Sequence, residues 1–202
     1  MKIFLIRHGE AAQSWDQSAD PGLSELGKEQ ALECFNTLDG NEDLNQFNLV
    51  SSPLKRAQET SLHFKKSYDK QLSLNEAFRE IPSPGISLLE RKNWLQEIFK
   101  KNINELEKPQ QIWQSKILST LKSFAEPTII FSHFMVINIV VSTLKEDSRV
   151  KGFNIGTNAG KVAGQSIMHC HVHLIPRREG DVENPQGGVR SVIPKKQHYK
   201  RK

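Results

Sequence analysis

Apolar residues in the first 148 positions form short continuous runs that alternate with longer amphipathic stretches. A continuous run such as Ile3–Ile6 is typical of a strand that is buried on both faces. The stretch Ser24–Leu38 is typical of a helix, and Ser24 suits its N-cap. The same pattern predicts a short strand ending at 50, further strands at 72–78 and 128–131, and helices at 52–65, 88–101, 112–124 and 136–144.

This alternation of strands and helices predicts an α/β fold, a three-layer and mostly parallel sheet with helices on both faces. Ligands of such sheets bind beyond the carboxyl ends of the strands. Three polar pairs directly follow predicted strands, namely Arg7-His8, Ser51-Ser52 and Ser132-His133. We therefore expect these side chains to converge on one site.

The residue types at this edge suit the transfer of a phosphoryl group, in which positioning and electrostatic stabilisation do most of the work. Arg7 and Arg56 carry guanidinium forks that bind phosphate oxygens in pairs. His8 can present a neutral ring nitrogen as a nucleophile, and His133 can donate to the phosphoryl oxygens from the opposite side. The sequence thus predicts a phosphate pocket with a histidine nucleophile.

A leaving alkoxide must also be protonated, which requires an acid with a raised pKa. Glu80, which follows the predicted strand at 72–78, is the best candidate. Glu76 and Glu10 are alternatives, and the sequence leaves the choice between the three carboxyl groups open.

Four motifs, in this order along the chain, resemble the histidine phosphatase (phosphoglycerate mutase-like) superfamily. They are Leu5-Ile6-Arg7-His8-Gly9-Glu10, Leu23-Ser24-Glu25-Leu26-Gly27-Lys28-Glu29-Gln30-Ala31, Ser51-Ser52-Pro53-Leu54-Lys55-Arg56-Ala57-Gln58-Glu59-Thr60 and Ser132-His133. The resemblance implies that His8 is the phosphorylated nucleophile and that Glu80 is the proton donor. It also implies phosphate-pocket roles for Arg7, Arg56 and His133.

Two positions depart from the mutase branch of that superfamily. Ser14 stands where this branch usually has an asparagine, and Phe134 stands where a glycine commonly follows the second histidine. The resemblance therefore implies a phosphatase rather than a mutase. We predict a phosphohydrolase that acts on a small phosphorylated substrate, of which a nucleotide is one example.

The last 54 residues differ from the rest in charge, since 149–202 carry a net charge of +8 and 1–148 a net charge of −3. This marks a composition boundary near 145–151. Within the basic part, His169, His171 and His173 alternate, so on a strand they would share one face. Three neighbouring imidazoles form either a metal site or a nucleophile with orienting neighbours.

The surroundings of these histidines resemble the catalytic half of histidine triad (HIT) nucleotide hydrolases and transferases. The resemblance covers Gly152-Phe153-Asn154-Ile155-Gly156, Thr157-Asn158-Ala159-Gly160-Lys161-Val162-Ala163-Gly164-Gln165, His169-x-His171-x-His173-Leu174-Ile175-Pro176-Arg177-Arg178, Gly180-Asp181, Gly187-Gly188-Val189-Arg190 and Ile193-Pro194. The resemblance implies that His171 attacks the α-phosphate of a nucleotide without a metal or other cofactor. It also implies that His169 orients the His171 ring. Gln165 and His173 would contact phosphate oxygens, and Asn158 would contact phosphate or ribose.

We predict two domains, a histidine phosphatase-like domain at 1–148 that is shortened at its C-terminal end and a HIT-like segment at 149–202 that lacks its first half. A segment of roughly 50 residues has little core of its own, so a dimer formed through it is one expectation. The alternatives to a phosphatase are a HIT-type hydrolase or transferase with His171 as nucleophile, and a poorly active fusion of two truncated domains.

Composition bears on the number of domains and on the expected location of the protein. A hydrophobic content of 37% in 202 residues suits one α/β domain or two small ones. No apolar run reaches the roughly 20 residues that span a bilayer, and the apolar N-terminal run is too short for a signal peptide, so we expect a cytoplasmic protein without a membrane partner. Cys34 and Cys170 lack paired spacing and are expected to be reduced thiols. The basic run at 195–202 is expected to be a solvated tail, and nucleic acid is not an expected partner.

Overall fold

The structure of the chain, a computed structural model, describes residues 2–14, 17–101, 105–146, 150–156 and 173–182. The backbone divides into two compact units, Met1–Val140 and Val141–Lys202. Within the described ranges, no helix combines the length and the apolar character that crossing a membrane requires.

The first unit contains a parallel sheet of four strands. These are β1 (Ile3–Arg7), β2 (Asn48–Ser51), β3 (Leu72–Leu74) and β4 (Thr128–Ser132), arranged in the order β1-β4-β2-β3. All residues of β4 are buried, because β1 and β2 pair with it on either side. The register sets Arg7 beside Ser132 and Ser51 beside Phe131. The carboxyl ends of three strands therefore meet at one edge, as the sequence predicted.

Helices cover both faces of this sheet. They are α1 (Glu25–Asp39), α2 (Lys55–Thr60), α3 (Leu62–Ser67), α4 (Arg91–Ile98), α5 (Lys108–Ser123) and α6 (Phe134–Glu146). Successive residues of β4 serve opposite faces: Ile129 and Phe131 pack in a cluster with Phe64 of α3, whereas Ile130 packs in a second cluster with Ile117 of α5. The predicted three-layer α/β arrangement is confirmed.

Two predicted elements were wrong in extent because side chains bind nearby backbone groups. The strand predicted at 72–78 ends at Leu74, and Asn75 accepts a hydrogen bond from the Ala77 amide at 2.9 Å, which begins a 3₁₀ turn at Glu76–Phe78. The helix predicted at 52–65 breaks at Ser61, whose hydroxyl donates to the Gln58 carbonyl at 2.6 Å. Such side-chain bonds compete with regular backbone pairing.

The same helix also begins later than predicted. Ser52 does not cap it, since α2 begins at Lys55 and its N-cap residue Leu54 makes no side-chain capping bond. Ser52 Oγ instead accepts from the Leu54 amide at 3.2 Å in the turn before the helix.

The remaining helix boundaries differ from the predicted ones by one to four residues. Of the helix predicted at 88–101, only α4 is helical. Ser87 donates from its amide and its hydroxyl to the Glu90 carboxylate, which holds a turn before α4. The helix predicted at 112–124 begins at Lys108, with Pro109 in its first turn, where a missing amide hydrogen costs nothing. The helix predicted at 136–144 extends over all of α6.

The start of α1 matches the sequence prediction and anchors the loop that follows β1. Ser24 caps the helix by accepting from the Gly27 amide at 3.0 Å. The Ser24 hydroxyl also donates to Glu10 at 2.6 Å, and its amide donates to the Glu10 carbonyl at 2.9 Å. The two backbones approach so closely that a Cβ on Gly27 would lie 2.1 Å from the Glu10 oxygen, and one on Gly9 would lie 2.3 Å from the Gly27 oxygen.

The second unit contains an antiparallel pair, β5 (Val150–Gly156) and β6 (His173–Arg178). A turn follows β6, in which Gly180 has a φ of 75°. Asp181 accepts from Arg177 Nε at 2.9 Å, from Arg177 Nη2 at 2.8 Å and from the Arg178 amide at 2.8 Å. These bonds lower the pKa of Asp181, with the Arg177 side chain as the largest cause.

We expect Gly27→Ala to destabilise the protein, although alanine is intrinsically the better helix former by about 1 kcal/mol. The new methyl group would overlap the Glu10 backbone, and overpacking of this kind costs about 1–3 kcal/mol. Urea unfolding measures the change. Glu29→Ala, at an exposed position of the same helix, is the control and should shift the free energy of unfolding by less than about 0.5 kcal/mol. A Gly27→Ala protein as stable as the wild type would contradict the packing argument.

Candidate active site

His8 lies directly after β1 and is 8% exposed. Its backbone amide donates to the Ser132 carbonyl at 3.0 Å, which ties the turn to the end of β4. Its Nδ1 lies 2.6 Å from the Gly9 carbonyl oxygen. A carbonyl can only accept, so Nδ1 carries the proton and Nε2 keeps its lone pair. Arg56 Nε donates to that nitrogen at 3.0 Å.

The surroundings of His8 strongly favour its neutral form. They lower its pKa from 6.5 to about 3, mainly because burial penalises the charged ring and also because of the positive charges of Arg56 and Arg7. The hydrogen bond to Gly9 acts in the opposite direction and is weaker. At neutral pH His8 therefore presents an unprotonated Nε2 next to a fixed cation.

His133 is fully buried beside His8 and follows β4. Its Nε2 lies 2.8 Å from Ser52 Oγ, while its buried Nδ1 has no hydrogen-bond partner in the part of the chain that the structure describes. Burial, followed by the charge of Arg56, lowers the pKa of His133 well below its ordinary value. The two ring centroids are 5.1 Å apart at an interplanar angle of 60°. An anion that contacts both rings therefore sits at their edges rather than between their faces.

Arg56 and Arg7 differ in how they are held. Arg56 is only 3% exposed, and its Nη1 lies 3.7 Å from Asp20 Oδ1. Arg7 is exposed, and its guanidinium carbon lies 5.7 Å from the ring centroid of Phe134. Phe134 also meets Phe99 edge-on at 5.7 Å between centroids. The residue that departs from the common glycine thus places an aromatic face against one of the predicted phosphate ligands.

Glu80 is the buried carboxyl group among the three acid candidates, with 9% exposure. Its Oε1 accepts from the Ile81 amide at 3.1 Å, and its Oε2 is buried without a partner in the described ranges. Burial raises the pKa of Glu80, and the positive charge of Arg56 opposes that rise. Loss of hydration is the larger effect, so the group is held towards its protonated form.

The two alternative acids, unlike Glu80, are exposed. Glu76 is exposed and pairs with Arg79 at 3.3 Å. Glu10 is also exposed and accepts from the Ser24 hydroxyl, which commits it to the contact with α1. The geometry therefore favours Glu80 over both alternatives.

Two residues at the site escaped sequence reasoning. Thr60 Oγ1 accepts from the Gly9 amide at 3.1 Å and donates to the Arg56 carbonyl at 2.8 Å, which links the loop after β1 to α2. Asp20 accepts from the Lys55 amide at 2.9 Å and lies beside Arg56. Asp20 falls between predicted elements, where hydrophobic periodicity carries no signal. Thr60 belongs to a quoted motif, but its spacing alone did not indicate these contacts.

The predicted HIT-like site falls almost wholly outside the described residues. Asn158, Gln165, His169 and His171 lie there, and of His173 only the backbone, at the start of β6, is described. The expected common face of the three histidines stays a prediction.

We expect acid to destabilise the protein partly through His8. The pKa of His8 in the folded protein lies below its ordinary value. The stability that depends on a neutral His8 is therefore complete above pH 6.5 and is lost as the pH falls towards about 3. When the pH is lowered from 6.5 to about 5, the free energy of unfolding of the wild type should decrease by about 1.5 kcal/mol more than that of His8→Asn. Urea unfolding at both pH values measures this difference. Parallel curves for the two proteins would contradict the burial of a neutral His8.

A sequence model of the histidine phosphatase superfamily (branch 1) matches residues 3–164. Among solved structures, TTHB049 from Thermus thermophilus has 22% identity and a TM-score of 0.53, over 73% of this chain and 86% of that one. The mycobacterial glucosyl-3-phosphoglycerate phosphatase in complex with VO3 has 17% identity and a TM-score of 0.53, over 71% of this chain and 81% of that one. Identities this low establish a similarity of fold.

A different similarity appears among curated proteins. An uncharacterized HIT-like protein of Methanocaldococcus jannaschii is 59% identical over 32 residues, which make up 16% of this chain and 25% of that protein. The chain spans about a quarter of the length of the curated relatives it matches. Since the superfamily model covers most of the chain and the parallel sheet agrees with it, the chain belongs to branch 1 of the histidine phosphatase superfamily.

Proposed function

We propose that this chain is a phosphohydrolase that removes the phosphoryl group from a small phosphomonoester through a phosphohistidine on His8. The observation that carries the proposal is the neutral, buried Nε2 of His8 with Arg56 Nε at 3.0 Å. A lone pair provides the nucleophile, and an adjacent guanidinium can bind the oxygens of the group under attack. Membership of the superfamily supports the same chemistry.

In the first step, Nε2 of His8 attacks phosphorus and the ester bond between phosphorus and the leaving oxygen breaks. Arg56 transfers its Nε hydrogen bond from the ring to a phosphoryl oxygen, and Arg7 and His133 stabilise the remaining charge. Glu80 donates its proton to the leaving oxygen. The phosphorylated ring becomes positively charged, and the Gly9 carbonyl at 2.6 Å from Nδ1 stabilises that charge.

In the second step, a water molecule attacks the phosphohistidine. The Glu80 carboxylate takes a proton from this water, and the bond between Nε2 and phosphorus breaks. Inorganic phosphate leaves, His8 returns to its neutral form and Glu80 is protonated again. One water molecule is consumed in each cycle.

His8→Ala should lower the hydrolysis of p-nitrophenyl phosphate by about 10³-fold or more, because the variant lacks the nucleophile of the proposed first step. The rate of nitrophenolate release measures this change. His63→Ala is the matched control, since His63 lies on α3 and stacks on Phe35 away from the site. Wild-type rates in His8→Ala would remove His8 from the mechanism.

Glu80→Gln should affect substrates according to their leaving groups. An alkoxide needs a proton and a nitrophenolate does not, so kcat/KM, which reports the steps up to phosphohistidine formation, should fall by about 10²–10⁴-fold on an alkyl phosphate and much less on p-nitrophenyl phosphate. For wild-type activity on the alkyl phosphate, loss of the Glu80 proton should reduce the rate as the pH rises through its raised pKa. Glu76→Gln serves as control. An equal loss of kcat/KM on both substrates would remove Glu80 as the proton donor of the first step.

We further propose that residues 149–202 form a HIT-like segment joined to the phosphatase and that its nucleotide site is incomplete. The short match to a HIT-like protein supports this assignment. In the proposed arrangement His171 is the nucleophile, His169 orients it, and Asn158, Gln165 and His173 contact the nucleotide. A second copy of the chain is the proposed source of any missing part of the site.

The full chain should therefore hydrolyse adenosine phosphoramidate weakly or not at all, because half of the nucleotide site is missing. Release of AMP measures this activity, with His171→Ala and His8→Ala as a matched pair. Robust hydrolysis that is lost in His171→Ala and retained in His8→Ala would contradict the prediction. It would make a HIT-type hydrolase assembled across a dimer the primary function. Inactivity on every phosphomonoester and on the phosphoramidate would favour a poorly active fusion.

A further inference from the structure

Two neighbouring serines lie at the carboxyl end of β2, and they use their hydroxyl groups differently. Ser51 and Ser52 are both fully buried. The Ser51 hydroxyl donates to the Ser52 carbonyl at 2.8 Å, so its proton is committed to the backbone. Ser52 Oγ instead lies 2.8 Å from Nε2 of His133. Ser52 is therefore the serine that acts on the His133 ring.

The other hydrogen bond of Ser52 determines the direction of its contact with His133. Ser52 Oγ already accepts from the Leu54 amide at 3.2 Å. Among the residues that the structure describes, His133 Nε2 is the only acceptor for the hydroxyl proton. A buried hydroxyl proton without an acceptor is unfavourable, so the hydroxyl donates to Nε2. A ring nitrogen that accepts a hydrogen bond carries no proton of its own.

This contact assigns the tautomer of His133. Burial, followed by the charge of Arg56, lowers the pKa of His133, so the ring is neutral and has one N–H group. Since Nε2 accepts, the proton is on Nδ1. This nitrogen is buried and has no hydrogen-bond partner in the described ranges. Its N–H group has lost its hydration without gaining an acceptor, which favours donation to an anion that enters the site.

The two histidine rings then offer opposite functions to a phosphoryl group. His8 presents the lone pair of its Nε2, while Arg56 donates to that nitrogen. The His133 ring, whose centroid lies 5.1 Å from that of His8, presents the N–H group of its Nδ1. A phosphoryl oxygen can only accept, so the other tautomer of His133 would direct a lone pair at it and repel it.

We propose that Ser52 is a positioning residue, which holds the proton of His133 on Nδ1 so that this nitrogen donates to an oxygen of the transferred phosphoryl group. The inference rests on the proposed phosphohydrolase function and adds a residue that acts through His133 rather than on the substrate. Ser52 neither gains nor loses a proton during the reaction.

Nuclear magnetic resonance of the isotope-labelled full chain at neutral pH tests the tautomer directly. In a neutral imidazole, the nitrogen that carries the proton resonates far from the other one, and couplings to the ring hydrogens identify each nitrogen. The wild type should carry the His133 proton on Nδ1, and Ser52→Ala should show the Nε2–H form or a mixture. The signals that disappear in His133→Asn belong to His133. A wild-type ring with its proton on Nε2 would overturn the inference.

Hydrolysis of p-nitrophenyl phosphate tests the effect of the tautomer on the reaction. Ser52→Ala should lower kcat/KM by about 10- to 100-fold, the range expected for one hydrogen bond to a charged group. Ser52→Thr keeps a hydroxyl group and should restore both the Nδ1–H tautomer and most of the activity. Wild-type kcat/KM in Ser52→Ala would overturn the positioning role.

Ser61→Ala is the matched control. Ser61 is as deeply buried as Ser52, but its hydroxyl donates to the Gln58 carbonyl at 2.6 Å. This variant removes the same group and should leave both the tautomer of His133 and kcat/KM unchanged. An equal loss of activity in Ser61→Ala and Ser52→Ala, without a change of tautomer in either variant, would count against the inference.

Titration of the wild type with inorganic phosphate separates this inference from the proposed function. Phosphate should shift the Nδ1 proton resonance of His133, and this wild-type measurement decides the inference if Ser52→Ala does not fold. Hydrolysis of phosphomonoesters by a wild type with the His133 proton on Nε2 keeps the proposed function and overturns the role of Ser52. A wild type that hydrolyses no phosphomonoester, although phosphate shifts the Nδ1 resonance, keeps the role of Ser52 and overturns the phosphohydrolase function.

Discussion

The site depends on the hydrogen bond from Arg56 Nε to His8 Nε2. A guanidinium can donate to an imidazole nitrogen only when that nitrogen is unprotonated, so this contact and the neutral state of His8 require each other. Burial makes both possible: a charged ring in this environment would lose its hydration beside a second cation. The protein thus holds the proposed nucleophile and the proposed phosphate-binding cation in direct contact.

The fold maintains this contact through short links between distant segments. Parallel pairing of β1 with β4 brings His8 next to His133, and the His8 amide is bonded to Ser132. Thr60 joins the backbone at Gly9 to the backbone at Arg56. The glycine contact between this loop and α1 leaves no room for a side chain on either partner. These links hold His8 close to Arg56.

In contrast, the rim of the site is more exposed. Arg7 is exposed, and Phe134 rather than solvent covers one side of its guanidinium. Phe99 supports that ring from the side. Arg91 lines the same cavity as Glu80.

The sequence alone determined the class of fold, the order of its strands and helices, and the residues that follow β1, β2 and β4. Apolar periodicity and short ordered motifs are local properties, so they can be seen without a structure. Local patterns misplaced the end of β3 and the break at Ser61, where single side chains bind backbone groups. They also overlooked Asp20 and Thr60. Only the tertiary structure separated the buried Glu80 from the exposed Glu76 and Glu10, and showed which nitrogen of His8 is unprotonated. The physical reason is that desolvation and charge proximity depend on residues far apart in the chain, and no periodicity encodes them.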